Sequence, residues 1–203
     1  LLLGTGTGTF RPAGGVDTNP VDVVAADFNG DGKLDLLNTN ITSNTITLQL
    51  GLGKGGFAPA RSYAVGSWPV GLATGDFNKD GRLDVAVANF GASARSVSVL
   101  LGTAGGGFGP AVDYSAGPVT PLFLAVGDFN RDGALDLITA NREGQSISLL
   151  SGTGTGSFGV PTTFAVTPGA NPEDVAVGDL NGDGKLDVVT ANRNTANLSV
   201  LLG

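Results

Sequence analysis

The stretch DFNGDGKLD, residues 27–35, places three aspartates within nine residues, between two apolar segments. Carboxylates at this spacing repel one another and oppose a compact fold unless a positive charge compensates them. The same arrangement occurs three more times, as DFNKDGRLD at 76–84, DFNRDGALD at 128–136 and DLNGDGKLD at 179–187. The sequence therefore predicts a bound cation at each of these loops.

The spacing of the acidic loops predicts a repeat architecture. Successive loops begin 49, 52 and 51 residues apart, and a proline stands seven residues before each one. Each repeat shows an apolar strand before the loop, a second strand after it, an alternating third strand, a Gly-rich turn ending in Phe, and a fourth extended segment. Four short strands per roughly 50 residues is the period of a β-propeller blade.

We therefore predict an all-β fold, a β-propeller built from four four-stranded blades of about 50 residues each. The blades form a single array over residues 1–203, with repeats at approximately 1–51, 52–102, 103–152 and 153–203. The side chains at the second position of each acidic loop are expected to pack between blades, and they are Phe28, Phe77, Phe129 and Leu180.

Both ends of the sequence are expected to lie inside a blade. The opening LLLGTGTGTF matches the end of a third strand with its turn, and the closing LSVLLG matches another third strand. Two arrangements remain open: the segment 10–16 completes the last blade of the same chain, or it completes the last blade of a neighbouring copy. Contacts of the second kind produce larger rings or filaments.

Each acidic loop carries oxygen donors at alternating positions, which converge on one centre when the backbone curls. Hard oxygen donors suit Ca²⁺ or Mg²⁺, and three carboxylates favour the larger calcium shell. The position-seven residue contributes its backbone carbonyl, and the glycine at position six supplies a sharp turn. The predicted ligands are Asp27, Asn29, Asp31, Lys33 and Asp35; Asp76, Asn78, Asp80, Arg82 and Asp84; Asp128, Asn130, Asp132, Ala134 and Asp136; and Asp179, Asn181, Asp183, Lys185 and Asp187.

Two alternatives compete with this interpretation. An EF-hand needs a glutamate at position twelve and flanking helices, whereas position twelve is Asn38, Val87, Thr139 or Thr190 and the flanks have strand character. The other alternative is that the Asp and Asn side chains cap their own backbone in ordinary turns. Four copies with identical donor spacing favour a metal site.

The repeats resemble the FG-GAP or VCBS-type repeat, which is found in the heads of integrin α chains and in many secreted microbial proteins. The resemblance covers nearly the whole chain and rests on the motif D-x-N-x-D-G-x-x-D between two strands, present four times. It implies that each acidic loop joins adjacent strands of a blade and holds one Ca²⁺, and that the protein is secreted or displayed on the cell surface. Propellers of that family usually have about seven blades, more than the four repeats here.

The composition excludes several kinds of chemistry. The chain has no Cys, His or Met, so it lacks disulfides, thiol nucleophiles, the usual zinc ligands and the commonest general base. Its net charge of -7 argues against nucleic acid as a partner, although 12 of its 18 acidic residues lie in the four loops. It has no apolar run long enough to span a membrane.

These observations predict a calcium-binding extracellular scaffold for adhesion or structural assembly, without enzymatic activity. Self-association through the mid-blade termini into head-to-tail filaments is one form of that role. The alternative is a carbohydrate-binding propeller or an accessory domain of a secreted hydrolase, with a glycan or a protein as ligand. Two glycosylation sequons begin at Asn40 and Asn197, which are expected at exposed strand ends.

Overall fold

The computed structural model describes residues 2–4, 9–12, 19–91 and 95–203. Apart from one short 3-10 turn at Arg142–Gly144, the regular structure of these residues is entirely β, as predicted. The described chain begins with a hairpin of β1 (Leu2–Gly4) and β2 (Phe10–Pro12), in which Gly4 lies opposite Phe10. Four repeated sheets follow, which we number units 1 to 4.

Units 1 to 3 are four-stranded antiparallel sheets whose strands neighbour one another in chain order. Unit 1 contains β3 (Pro20–Ala26), β4 (Asp35–Asn40), β5 (Thr45–Gln49), the small β6 (Gly51–Gly53) and β7 (Gly56–Phe57) turn hairpin, and β8 (Arg61–Ala64). Unit 2 contains β9 (Pro69–Gly75), β10 (Asp84–Asn89), β11 (Ser96–Leu100), the β12 (Gly102–Thr103) and β13 (Gly107–Phe108) turn hairpin, and β14 (Val112–Ser115). Unit 3 contains β15 (Pro121–Gly127), β16 (Asp136–Asn141), β17 (Ser146–Leu150) and β18 (Thr162–Ala165).

Unit 4 differs from the other three. It contains β19 (Pro172–Gly178), β20 (Asp187–Asn192) and β21 (Asn197–Leu201), with no fourth strand among the described residues. The prediction of four strands is therefore confirmed for three units and not for the fourth. Residues 10–12 of the fourth strand expected at 10–16 form β2, which pairs with β1 as in the turn hairpins of units 1 and 2, and the remainder of the expected strand lies outside the described residues.

The units pack face to face in sequence order. The first strand of unit 2, β9, contacts β3 and β15, and β15 in turn contacts β19. Apolar clusters fill the three junctions, because the third strand of each unit directs its apolar side chains towards the next unit. Ile46 and Leu48 do so at the first junction, and Val97 and Val99 at the second.

An aromatic group completes two of these junctions. Phe108, from the Gly-rich turn of unit 2, packs edge-on against Phe28 and Tyr63 of unit 1, with ring centroids 5.5 and 5.3 Å apart. Phe158 of unit 3 repeats this contact on Phe77 and Tyr114 of unit 2. Edge-to-face pairs add to the area that the rings bury and fix the angle between them.

The predicted burial of the position-two side chains holds only where another unit follows. Phe28 and Phe77 are 6% and 2% exposed, and Phe129 is partly buried. Leu180 is 57% exposed, so the prediction is wrong at that position. No unit covers Leu180 within the described part of the chain, which explains the difference.

A buried asparagine closes the second strand of every unit. Its amide group donates to hydroxyl groups on the third strand, as Asn141 does to Ser148 at 2.7 Å. Asn40 is one of these residues, 4% exposed and donating to Thr47, so the prediction that this sequon is exposed is wrong. Asn197, at the start of β21, is exposed as expected.

Candidate metal centres

Each acidic loop joins the first and second strands of its unit, as the sequence predicts. In the first loop, the Asp27 carboxylate accepts hydrogen bonds from the N–H groups of Gly30 and Gly32, both at 2.7 Å. The Asn29 side chain accepts from Asp31 N–H at 2.9 Å. These bonds hold positions one, three and five on the same curl of backbone.

The other loops repeat this pattern. Asp179 accepts from Gly184 N–H at 2.8 Å, and Asp128 accepts from Gly133 N–H at 2.9 Å. The position-six glycines all have φ near +80°, a left-handed conformation that a Cβ would disfavour. The predicted sharp turn at position six is therefore confirmed.

The aspartate at position nine has a structural role that was not predicted from the sequence. In unit 1, Asp35 Oδ2 accepts from Phe28 N–H at 2.8 Å, and Oδ1 accepts from Gly51 N–H at 2.7 Å. Its side chain is fully buried. The glycine that follows every third strand is the sequence signal for this contact, because a Cβ at Gly51 would lie 2.2 Å from Leu34 O.

The equivalent aspartates of the other three units make the same two contacts. Asp84 accepts from the N–H groups of Phe77 and Gly102 at 2.8 and 2.7 Å. Asp136 and Asp187 accept from the matching residues of units 3 and 4. Position nine therefore fastens the acidic loop to the start of the Gly-rich turn, and its role as a metal ligand remains a prediction.

The carboxylates at positions five and nine differ in electrostatic environment. Burial raises the pKa of the Asp84 and Asp136 carboxyls, despite the N–H donors that favour their charged form. At position five, the hydrogen bond from the Lys33 side chain lowers the pKa of Asp31, and the N–H of Ala134 lowers the pKa of Asp132. Position five therefore presents an ionised oxygen at the surface.

The side chain at position seven interacts with this position-five carboxylate. Lys33 Nζ lies 3.0 Å from Asp31 Oδ2, and Arg82 forms the matching ion pair with Asp80. Position seven was predicted only as a source of a backbone carbonyl, so this ion pair was not expected. In loop 3 the residue is Ala134, which has no charge to compete with a cation.

The donor chemistry of the loops fits a hard cation such as Ca²⁺, since every side-chain donor is a carboxylate or amide oxygen. In the residues that the structure describes, however, no three Asp or Glu side chains come close enough together to hold a metal ion. The loops are closed instead by their own N–H donors. Carboxylate oxygens that accept one hydrogen bond keep a free lone pair, so the chemistry fits, and the occupancy remains a prediction.

A polar cleft lies beside unit 2. Its volume is about 570 Å³, and residues of three segments line it, including Ser67, Arg95, Asp113 and Tyr114. Ser98 donates a hydrogen bond to Asp113. Units 1 and 3 have Ser62 and Thr163 at the corresponding position, so the carboxylate is particular to this cleft.

The geometry defines a propeller-like repeat protein with an acidic loop in each unit. The family model described as the FG-GAP-like repeat matches residues 27–87, 81–139 and 128–190. These matches extend over most of the chain, which therefore belongs to the FG-GAP-like repeat family. A comparison with curated proteins finds no matching sequence.

Solved structures with a similar fold include an Agrocybe aegerita lectin that recognises non-reducing terminal N-acetylglucosamine (22% identity, TM-score 0.60, 93% of this chain and 54% of that one). A streptogramin B lyase aligns at 16% identity and TM-score 0.60 over 96% of this chain and 58% of its own. The V. cholerae biofilm matrix protein Bap1 aligns at 19% identity and TM-score 0.51 over 83% of this chain and 23% of its own. The chain thus spans little more than half of the lectin and of the lyase, and these similarities concern the fold.

No helix among the described residues is long and apolar enough to cross a membrane.

Proposed function

We propose that this chain is a calcium-stabilised, propeller-type scaffold that acts outside the cell in adhesion or structural assembly, without catalysis. The observation that supports this proposal is the fourfold repetition of one arrangement. In each unit a buried aspartate at position nine anchors the loop, while carboxylate and amide oxygens at positions one, three and five stand at its surface. Repeated surface loops of this kind suit an ion that stabilises the structure.

In this proposal the oxygens at positions one, three and five, with the carbonyl at position seven, hold the ion. A bound Ca²⁺ would neutralise the carboxylates that repel one another. The N–H donors that close each loop keep these side chains on one curl of backbone, and ion binding would draw their oxygens closer together. Extracellular calcium modules bind with dissociation constants of roughly 10⁻⁴ to 10⁻³ M, which matches calcium levels outside cells and not those inside.

The test is calcium titration by isothermal calorimetry, combined with thermal unfolding before and after chelation. We expect one site per acidic loop, with each site adding about 1.4 kcal/mol of stability when calcium is at tenfold its dissociation constant. Asp132→Asn should remove one site and leave the others intact. The absence of both binding heat and a change in melting temperature at millimolar calcium would refute the proposal.

The chain also has a feature that favours a second candidate, glycan binding. The cleft beside unit 2 combines a carboxylate, a guanidinium group and hydroxyl groups, the kinds of polar group that orient a ligand in a binding site. The similar fold of the Agrocybe aegerita lectin is consistent with this candidate. A glycan array should then show binding that Asp113→Asn weakens and Ser62→Ala leaves unchanged.

A further inference from the structure

The two ends of the repeat array carry apolar surfaces that are buried at every internal junction. The apolar residues of the third strand are almost fully buried in units 1 and 2, where Ile46, Leu48, Val97 and Val99 are at most 2% exposed. The residues in the same register of unit 4, Leu198 and Val200, are 64% and 54% exposed. We call this surface, together with Gly178, the tail face.

The opposite end shows the complementary surface. In units 2 and 3, the apolar residues near the start of the first strand are Val70, Leu72, Leu122 and Leu124, all at most 9% exposed. Their counterparts in unit 1, Val21 and Val23, are 44% and 58% exposed. We call these two residues, together with Leu34, the head face.

A leucine and a glycine show that the two faces match in shape. At internal junctions, the leucine at position eight of one unit lies against the last residue of the first strand in the preceding unit. A Cβ added at Gly75 would lie 2.8 Å from Leu135 Cδ1, and one added at Gly127 would lie 2.5 Å from Leu186 Cδ1. Gly178 has no described atom within 4 Å of this position, and Leu34 is 65% exposed.

We propose that two copies of this chain associate head to tail, with the head face of one copy on the tail face of the other. The interface would then be one more junction of the kind already present between units 1 and 2. This inference rests on the proposed assembly role and names the surfaces that carry it. It pairs two different surfaces of the chain, so it generates a ring where the rotation closes and a filament where it does not. Two copies contain eight units, within the size range of propellers.

The N-terminal hairpin provides an independent observation. Residues 1–10 (LLLGTGTGTF) are identical to residues 149–158 (LLSGTGTGSF) at eight of ten positions. Gly4 pairs with Phe10 across the two strands, as Gly152 pairs with Phe158 in unit 3. In sequence and in this strand pairing, the N-terminal segment therefore matches the segment of unit 3 that carries the junction-filling Phe158.

The tail end of the array has a place for such a phenylalanine. A cavity of about 210 Å³ lies between units 3 and 4, lined by Phe129, Phe164, Leu186 and Leu201 among others. Phe129 and Phe164 hold the positions of Phe77 and Tyr114, which contact Phe158 one junction earlier. In the head-to-tail complex, the hairpin of the second copy would bring Phe10 to this cavity.

The test is sedimentation velocity of the full chain from about 1 to about 100 µM, the range in which transient and stable interfaces are resolved. We expect concentration-dependent association that Val23→Glu on the head face or Val200→Glu on the tail face weakens by about thirtyfold or more, since a buried unpaired charge opposes the contact. Phe10→Ala should weaken association in the same direction. Val160→Glu is the matched control, because Val160 is 91% exposed and lies in neither face.

Mixing the two single-face variants separates association between copies from other effects. Val23→Glu retains an intact tail face and Val200→Glu an intact head face, so an equimolar mixture should form pairs although neither variant associates alone. A wild-type chain that stays monomeric over this range, or a mixture that remains monomeric, overturns the proposal. Calcium titration of the same samples tests the scaffold proposal separately, because the four acidic loops can bind calcium in a monomer.

Discussion

Substitution of Val87 by threonine tests the polar network at the end of the second strand. The Oδ1 atom of the closing asparagine accepts a hydrogen bond from Asn38 in unit 1, at 2.8 Å, and from Thr139 in unit 3, at 2.9 Å. Unit 2 has Val87 at this position, and Asn89 Oδ1 is buried with no hydrogen-bond partner among the described residues. A threonine hydroxyl at position 87 would supply the missing donor.

The expected magnitude follows from two opposing contributions. Replacing a buried methyl group by a hydroxyl loses about 1 kcal/mol of apolar burial, and a buried polar group without a partner costs about 1 to 3 kcal/mol. Val85 lies two residues earlier on the same face of β10, fully buried, and provides the matched control. We expect Val85→Thr to lower the free energy of unfolding by about 2 to 4 kcal/mol. Val87→Thr should leave it unchanged or raise it by up to about 2 kcal/mol, because the cost relieved at Asn89 Oδ1 offsets the lost apolar burial.

Urea denaturation of the two variants and the wild type measures this difference directly. Equal losses for Val85→Thr and Val87→Thr would refute the reasoning, because the two sites would then treat a hydroxyl alike. A reciprocal experiment in unit 3 strengthens the test. Thr139→Val should leave the side-chain oxygen of Asn141 without its donor, and after the gain of about 1 kcal/mol in apolar burial it should destabilise the chain by up to about 2 kcal/mol.

Three further predictions concern the loops and the junctions. Asp136→Asn should lower the free energy of unfolding by about 2 kcal/mol in calcium-free buffer, because it weakens two charge-assisted hydrogen bonds. Asp132→Asn should lower it by less than about 1 kcal/mol under the same conditions. Equal losses for the two variants in urea denaturation would contradict the anchoring role of position nine. Arg82→Ala should raise the calcium affinity of its loop by up to about fivefold, because an exposed cation no longer competes for the Asp80 carboxylate. Weaker calcium binding by calorimetry would contradict this prediction. Gly71→Ala should cost about 1 to 3 kcal/mol, because the added Cβ would lie 2.8 Å from Phe123 Cα, whereas Gly178→Ala should change the thermal stability little.

The repeat architecture could be predicted because local signals recur. Each acidic loop lies between a first strand that begins at a proline and a second strand that ends at an asparagine, so the strand positions follow from one copy to the next. The Gly-rich turns were identified for the same reason. The strand count of unit 4 could not be predicted, because pairing across a sheet edge depends on contacts between residues far apart in sequence.

The roles within the acidic loop were predicted less completely. Alternating oxygen donors indicate a site, but they do not distinguish a carboxylate at the surface from one buried beneath it. Asp35 and Asp27 are the same residue type in the same motif, yet only Asp35 reaches the N–H group of Gly51, which is 16 residues further along the chain. The exposure of Leu180 was missed for a related reason, since burial depends on whether another unit follows.

The fastening of each acidic loop to the adjacent turn has a mechanical consequence. Asp84 holds the N–H group of Gly102, and Gly102 begins the turn that carries Phe108 into the first junction. A displacement of that loop must therefore shift the ring between units 1 and 2. The array would therefore deform at the junctions between its units, and loosening of an acidic loop would change the angle between neighbouring sheets before any single sheet unfolded.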